Sequence, residues 1–251
     1  MPAPTIRSWP PEPLAWLLCG AVVLAGCAAA ESSLVTDARL DARDAQALDA
    51  VTVDTASFDA ASFDAMPCVT SGFVLDGALD ASANVIAGGV TALRLAVAVS
   101  ADGRLYIATD DAGEGGDHFI LISATPPTAV ARPAPFAKAG TVAAGTGDLI
   151  TLADENDNGF SGWFRLEPTG GDAALSGAAY NNATGSNGGV VEGTVDLRAA
   201  FGTIPATLYF AAVAYASADG GVLVSAAQTP VGNGDGNVSA DEYVTFNVAC
   251  R

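Results

Sequence analysis

Residues 68–251 predict an all-β fold, an antiparallel β-sandwich or jelly roll, and three observations carry that prediction. Short apolar runs follow one another with Gly, Asp and Asn between them. Asp-Gly pairs at Asp102-Gly103 and Asp219-Gly220 stand between such runs, where a tight hairpin takes residues that tolerate positive φ. Only "DLRAAFG", 196–202, reads as a helical turn. Many short strands with turns of this kind suit two packed sheets. A seven-strand immunoglobulin-like sandwich is compatible, but the 184 residues of 68–251 suit a larger one.

The elements follow in order. "TALRLAVAVS" (91–100) and "RLYIATD" (104–110) flank Ala101-Asp102-Gly103 as a hairpin. Further strand candidates are "HFILISA", "GDLITLA", "GWFRLE", "VVEGTVDL", "TLYFAAVAYAS", "GVLVSAA" and "EYVTFNVA". Asp219-Gly220-Gly221 makes a second hairpin between "TLYFAAVAYAS" and "GVLVSAA". The weak alternation of 209–215 fits a strand buried on both sides.

The chain before residue 68 reads differently. Arg7 precedes an apolar run at 14–25 of about a dozen residues, short of the roughly 20 that span a bilayer. It fits the core of a secretory signal. The run ends in Leu24-Ala25-Gly26-Cys27, which resembles the lipobox of bacterial lipoproteins. That resemblance implies a signal peptide over 1–26, lipidation of Cys27 and a membrane anchor of more than one acyl chain. It places the protein in the cell envelope, at the outer membrane or cell surface. The alternative is an ordinary signal peptide cut near 28–30. Cys19 follows two leucines and suits lipidation less well.

A spacer is expected over 27–67. Its 8 acids and 2 arginines give a net charge of −6, and the last five acids are spaced by five. "ASFDA" occurs twice in succession. Period five matches neither a helix nor a strand face, and it resembles the pentapeptide-repeat solenoid. Four pentads make only about one coil, and solenoids need stacked neighbours to close a core. A flexible acidic tether is therefore the reading. Beyond it, Cys68 and Cys250 stand at the two ends of the strand-rich segment. In an exported protein they read as a disulfide framing one domain, with two buried free thiols as the alternative.

With 28 acidic and 10 basic residues the chain lacks the cationic surface that nucleic-acid binding needs. "DGALDAS", the run ending "LYIATDDAGEGGDHFILIS", and "VVEGTVDLRAAFG" followed by "LYFAAVAY" resemble bacterial family 9 carbohydrate-binding and DOMON-like sandwiches. That resemblance spans most of 73–248 and implies a sandwich that binds a glycan. The haem-binding members use Met and His ligands; Met66 and His118 are too few here to carry haem over.

"VGNGDGNVSADEY" (231–243) carries the strongest site signal. With Val231 as position 1, an EF-hand or dockerin-type loop places Asn233 at 3, Asp235 at 5, Gly236 at 6, Asn237 at 7, Ser239 at 9 and Glu242 at 12. Calcium asks for oxygen ligands at those positions and for glycine at 6. Val231 departs from the pattern because its side chain cannot coordinate, and another loop or water could supply the missing ligand. "ADENDNGFSGW" is a candidate donor, with Asp154, Asn156 and Asn158 at positions 1, 3 and 5 but Arg165 in place of the final acid. Asp110, Asp111, Glu114 and Asp117 form a third acidic turn. Each of these stretches is also ordinary turn chemistry. The domain's net charge of −12, from 19 acids and 7 bases, attracts a cation.

Catalytic signals are weak. His118 is the only histidine, and no Gly-x-Ser-x-Gly elbow surrounds a serine. Trp163, between Phe160 and Phe164 in "NGFSGWF", is either an aromatic face for a ligand or a core anchor. Two functions of different class follow. One is a membrane-tethered module binding a glycan or a surface protein. The other is a structural envelope lipoprotein whose calcium stiffens loops. A calcium-dependent hydrolase is a distant third. An exposed Trp163 in a groove favours the first, and a buried one the second.

Overall fold

The computed structural model describes residues 63–66, 68–70, 72–88, 93–110, 115–155, 159–181, 189–227 and 235–250, all within the compact unit Thr55–Arg251. In chain order the strands are β1 (Phe63–Met66), β2 (Asn84–Ala87), β3 (Arg94–Val99), β4 (Arg104–Asp110), β5 (Gly116–Ser123), β6 (Thr128–Pro133), β7 (Thr141–Ala144) and β8 (Leu149–Asp154). They continue as β9 (Ser161–Leu166), β10 (Asp172–Ala174), β11 (Ala179–Asn181), β12 (Val191–Asp196), the helix α1 (Leu197–Phe201), β13 (Thr207–Ala216), β14 (Leu223–Ala226) and β15 (Val244–Val248).

Eight strands make one sheet in the order β1-β15-β13-β5-β8-β9-β10, with β14 also on β13. Five make the facing sheet, β11-β12-β4-β3-β2, and β6 and β7 pair alone. The strand pairs are antiparallel except β1 on β15. The all-β sandwich is therefore correct, and turn chemistry made it legible. Gly103 takes φ 86° between β3 and β4, and Gly220 takes φ 67° between β13 and β14, where a Cβ is disfavoured. Helix α1 is a single turn: Asp196 Oδ1 accepts from Arg198 N at 2.8 Å, and Gly202 closes it at φ 78°.

Burial explains why the central strands lack alternation. On β5, Ile120 and Ile122 enter the core between the two sheets, while Phe119 and Leu121 enter a second cluster on the outer face. Strand β13 does the same with Phe210 and Ala212 inward and Ala211, Val213 and Tyr215 outward. A strand buried on both faces needs apolar residues at every position. Each such Ile, Leu or Phe contributes about 1.5–3 kcal/mol.

Two elements therefore cover the large sheet's outer face: the β6–β7 hairpin, and the C-terminal loop that brings Val238 and Tyr243 into the same cluster. On the far side, the five-stranded sheet is covered by the segment holding Val69, Phe73, Leu75 and Leu79. Buried Glu192 straps that segment down, its Oε2 accepting from Tyr106 Oη at 2.8 Å and its Oε1 from Gly77 N at 2.7 Å.

Cys68 and Cys250 form a disulfide with Cα atoms 5.5 Å apart, closing a separation of 182 residues. Strand β1 joins the sheet just before it, through Phe63↔Phe246 and Met66↔Val248. The folded body thus takes in the end of the segment read as spacer. The segments read as signal peptide and spacer, with Cys27, lie outside the described residues as far as residue 62.

Candidate functional site

The C-terminal loop is described from Asp235 onward; Val231 and Asn233 lie outside the described residues. Gly236 takes φ 79°, and Asp235 Oδ1 accepts from Asn237 N at 2.8 Å, so the chain turns tightly at loop positions 5 to 7. Asn237 Oδ1 accepts from Thr141 N at 2.9 Å and from Thr141 Oγ1 at 3.0 Å. Only the backbone carbonyl is wanted at position 7, so this side chain is free to brace the β6–β7 layer. Val238, at position 8, bridges Val142 in parallel: its N donates to Thr141 O at 2.9 Å, and its O accepts from Ala143 N at 2.7 Å.

Ser239 then caps a 3₁₀ turn, Ala240–Glu242, through a reciprocal capping box with Glu242. The Glu242 carboxylate is buried, 2% exposed, and its charge helps to raise the pKa of both Tyr215 and Tyr243, after burial itself. Asp235 is exposed. By loop position, this half-loop carries carboxylates at 5 and 12, a hydroxyl at 9 and glycine at 6, the residue types of the calcium pattern. Among the described residues, no group of three or more His, Cys, Asp or Glu side chains gathers.

The other candidates do not join this loop. Asp154 shares the side of β8 that carries Ile150 and Leu152 into the inter-sheet core, and Ser161 Oγ donates to it at 3.0 Å. The C-terminal loop packs on the opposite face of the same sheet. Asp154 is therefore not the donor that completes it; Asn156 and Asn158 lie outside the described residues. Arg165, at the acid position of that stretch, is paired with Asp148 and donates to Ala200 O at 2.9 Å. Of the third acidic turn, Asp110 is bound by Arg94 and Asp117 by Lys138, while Asp111 and Glu114 are not described.

Trp163 is a correction. It is 4% exposed in the inter-sheet core, and its Nε1 donates to Ala179 O at 2.9 Å. An aromatic face for a sugar must be open to solvent; here the large apolar ring gains more from filling the space between the sheets. Tyr106 and Tyr215 are fully buried, whereas Tyr180 is 45% exposed.

His118 lies in strand register with Asp154, which lies in register with Ser161. The order across the strands puts the acid in the middle. Nucleophilic catalysis needs the imidazole there, between serine and acid. Burial lowers the His118 pKa, partly opposed by the charge of Asp117 and a hydrogen bond at Gly116, which disfavours the charged ring at this strand end.

Sequence reasoning missed two buried polar groupings, Tyr106–Glu192 and Lys138–Asp117. The second had a visible signal, since Lys138 is the sole lysine of the chain. Among the described residues, no helix is long and apolar enough to cross a membrane. Compared with models of protein families, with curated proteins and with solved structures, the chain matches none.

Proposed function

We propose that the protein is a lipid-anchored, cell-envelope β-sandwich of structural type, whose C-terminal loop takes calcium to lock the outer layer onto the large sheet. The lipobox-like Leu24-Ala25-Gly26-Cys27 supports the anchor. The observation that carries the calcium reading is the half-loop 235–242, with its glycine turn, its bridge from Val238 to Val142, and Glu242 as the third residue of a capped turn. Asp235, Ser239, Glu242 and the Asn237 carbonyl would hold the ion, with Asn233 as a further ligand. Calcium there supplies positive charge for two carboxylates and fixes a loop already braced on Thr141. The burial of Trp163 favours the structural reading over the glycan module. A glycan module remains the second reading on one observation: the half-exposed Tyr180 ring packs on Gly162, whose Cβ would sit 3.2 Å from it.

The test is thermal melting of the chain in EGTA and in calcium, beside Asp235→Asn. For a loop of Kd near 10⁻⁴ M, about 10 mM calcium adds about 2.7 kcal/mol, or roughly 5–10 °C for a domain of this size. Asp235 is exposed, so the variant keeps the fold and loses the calcium increment. An equal rise in both proteins, or none in either, refutes the site.

A further inference from the structure

Lys138 is the only lysine in 251 residues, and it is not used at the surface. Its side chain is 4% exposed, that of Asp117 is 1%, and Nζ stands 2.5 Å from Asp117 Oδ2. Lys138 follows the 3₁₀ turn Pro135–Ala137, and Ala139 N donates to Gly221 O at 3.0 Å, which fixes its backbone on the β13–β14 hairpin. Nζ donates to the carbonyls of Ala216, Ser217 and Ala218 at 3.1, 3.1 and 3.0 Å. Asp117 projects from β5 on the side of Phe119 and Leu121, into the apolar layer under the β6–β7 hairpin.

We propose that Lys138 and Asp117 condense to an intramolecular amide, an isopeptide bond that staples the outer layer to the centre of the large sheet. Two physical arguments carry this. The carbonyls and the strand hold amine and carboxyl in contact, which converts a bimolecular condensation into a step within one body. Two charges kept in an apolar layer are costly, and the amide removes both.

The step balances without a co-reactant. A proton passes from the ammonium to the carboxylate, giving an amine and a carboxylic acid. The Nζ lone pair attacks Cγ of Asp117 and forms the C–N bond. The C–O bond then breaks, and its hydroxyl leaves with a proton from nitrogen as water. The product keeps one N–H for one of the three carbonyls. Of the others, Ala218 lies on an exposed part of the hairpin, where water serves it.

The experiment is mass spectrometry of the full exported chain after reduction of its disulfide, with peptide mapping, beside Lys138→Arg and Asp117→Asn. The wild-type chain should weigh one water less than its sequence, relative to Lys138→Arg with the same N-terminus, and yield a branched peptide joining Lys138 to Asp117. Asp117→Asn should reach the same amide by losing ammonia. Lys138→Arg should lose nothing. A wild-type chain of full mass, with Lys138 and Asp117 recovered in separate linear peptides, overturns the proposal whether or not the variants fold. So does a lost water that maps elsewhere.

Discussion

Gly193→Ala tests whether Trp163 is a core residue, and its cost follows from the structure. A Cβ on Gly193 would stand 2.7 Å from Trp163 Nε1, 2.9 Å from Ala179 O and 3.1 Å from Leu152 Cδ2. The methyl would thus push between the indole N–H and the carbonyl it bonds at 2.9 Å. Losing that bond in a buried place costs about 1–3 kcal/mol, and overpacking the surrounding core adds about 1–3 more. We expect Gly193→Ala to cost about 2–6 kcal/mol, measured by urea denaturation with constant slope. Trp163→Phe removes the indole nitrogen. In that background the same glycine substitution should cost at least about 1 kcal/mol less, because the two residues are in contact and do not add. The assay has a built-in reporter: in a chain cut before Cys27, Trp163 is the single tryptophan, and its emission should be that of a buried indole in the wild type. A Gly193→Ala cost within about 0.5 kcal/mol, the range of an ordinary surface change, would refute the packing argument. So would emission from a water-exposed indole, which would return Trp163 to the list of ligand-face residues.

Two further outcomes are expected besides the calcium and mass measurements. Removing the Cys68–Cys250 bond, by paired Ala substitution, frees a loop of 182 residues in the unfolded chain. The chain-entropy relation then predicts a loss of about 5 kcal/mol, or roughly 2 M in urea midpoint, and a shift under about 0.5 M would contradict it. His118 predicts a pH dependence of defined sign. Its folded pKa lies below the ordinary 6.5, chiefly through burial, so the unfolded chain binds a proton that the folded one refuses. Its contribution is therefore complete above about pH 6.5 and lost as the pH falls below it. The melting temperature of the wild type should drop more steeply between about pH 7 and 5 than that of His118→Gln, and parallel curves would show that the ring does not titrate on unfolding.

Sequence alone determined what local chemistry determines. The hairpins at Asp102-Gly103 and Asp219-Gly220 were legible because a positive φ is a property of one residue and its neighbours. So was the turn of α1, capped by Asp196 and ended by Gly202. The disulfide was legible because two cysteines flanked the strand-rich segment of a chain that reads as exported. The tertiary structure decided the rest. Strands β6 and β7, at Thr128–Pro133 and Thr141–Ala144, went unread because a short hairpin rich in Ala and Pro carries no period of its own. Asp154 and the 235–242 loop looked complementary along the chain, yet they fall on opposite faces of one sheet. A side chain's face depends on strand register, and register is set by partners far away in sequence. The meeting of Lys138 with Asp117 is the clearest case. Nothing in "FAKAG" or "GDHF" points one to the other, and only the docking of a third layer on β5 excludes water from both.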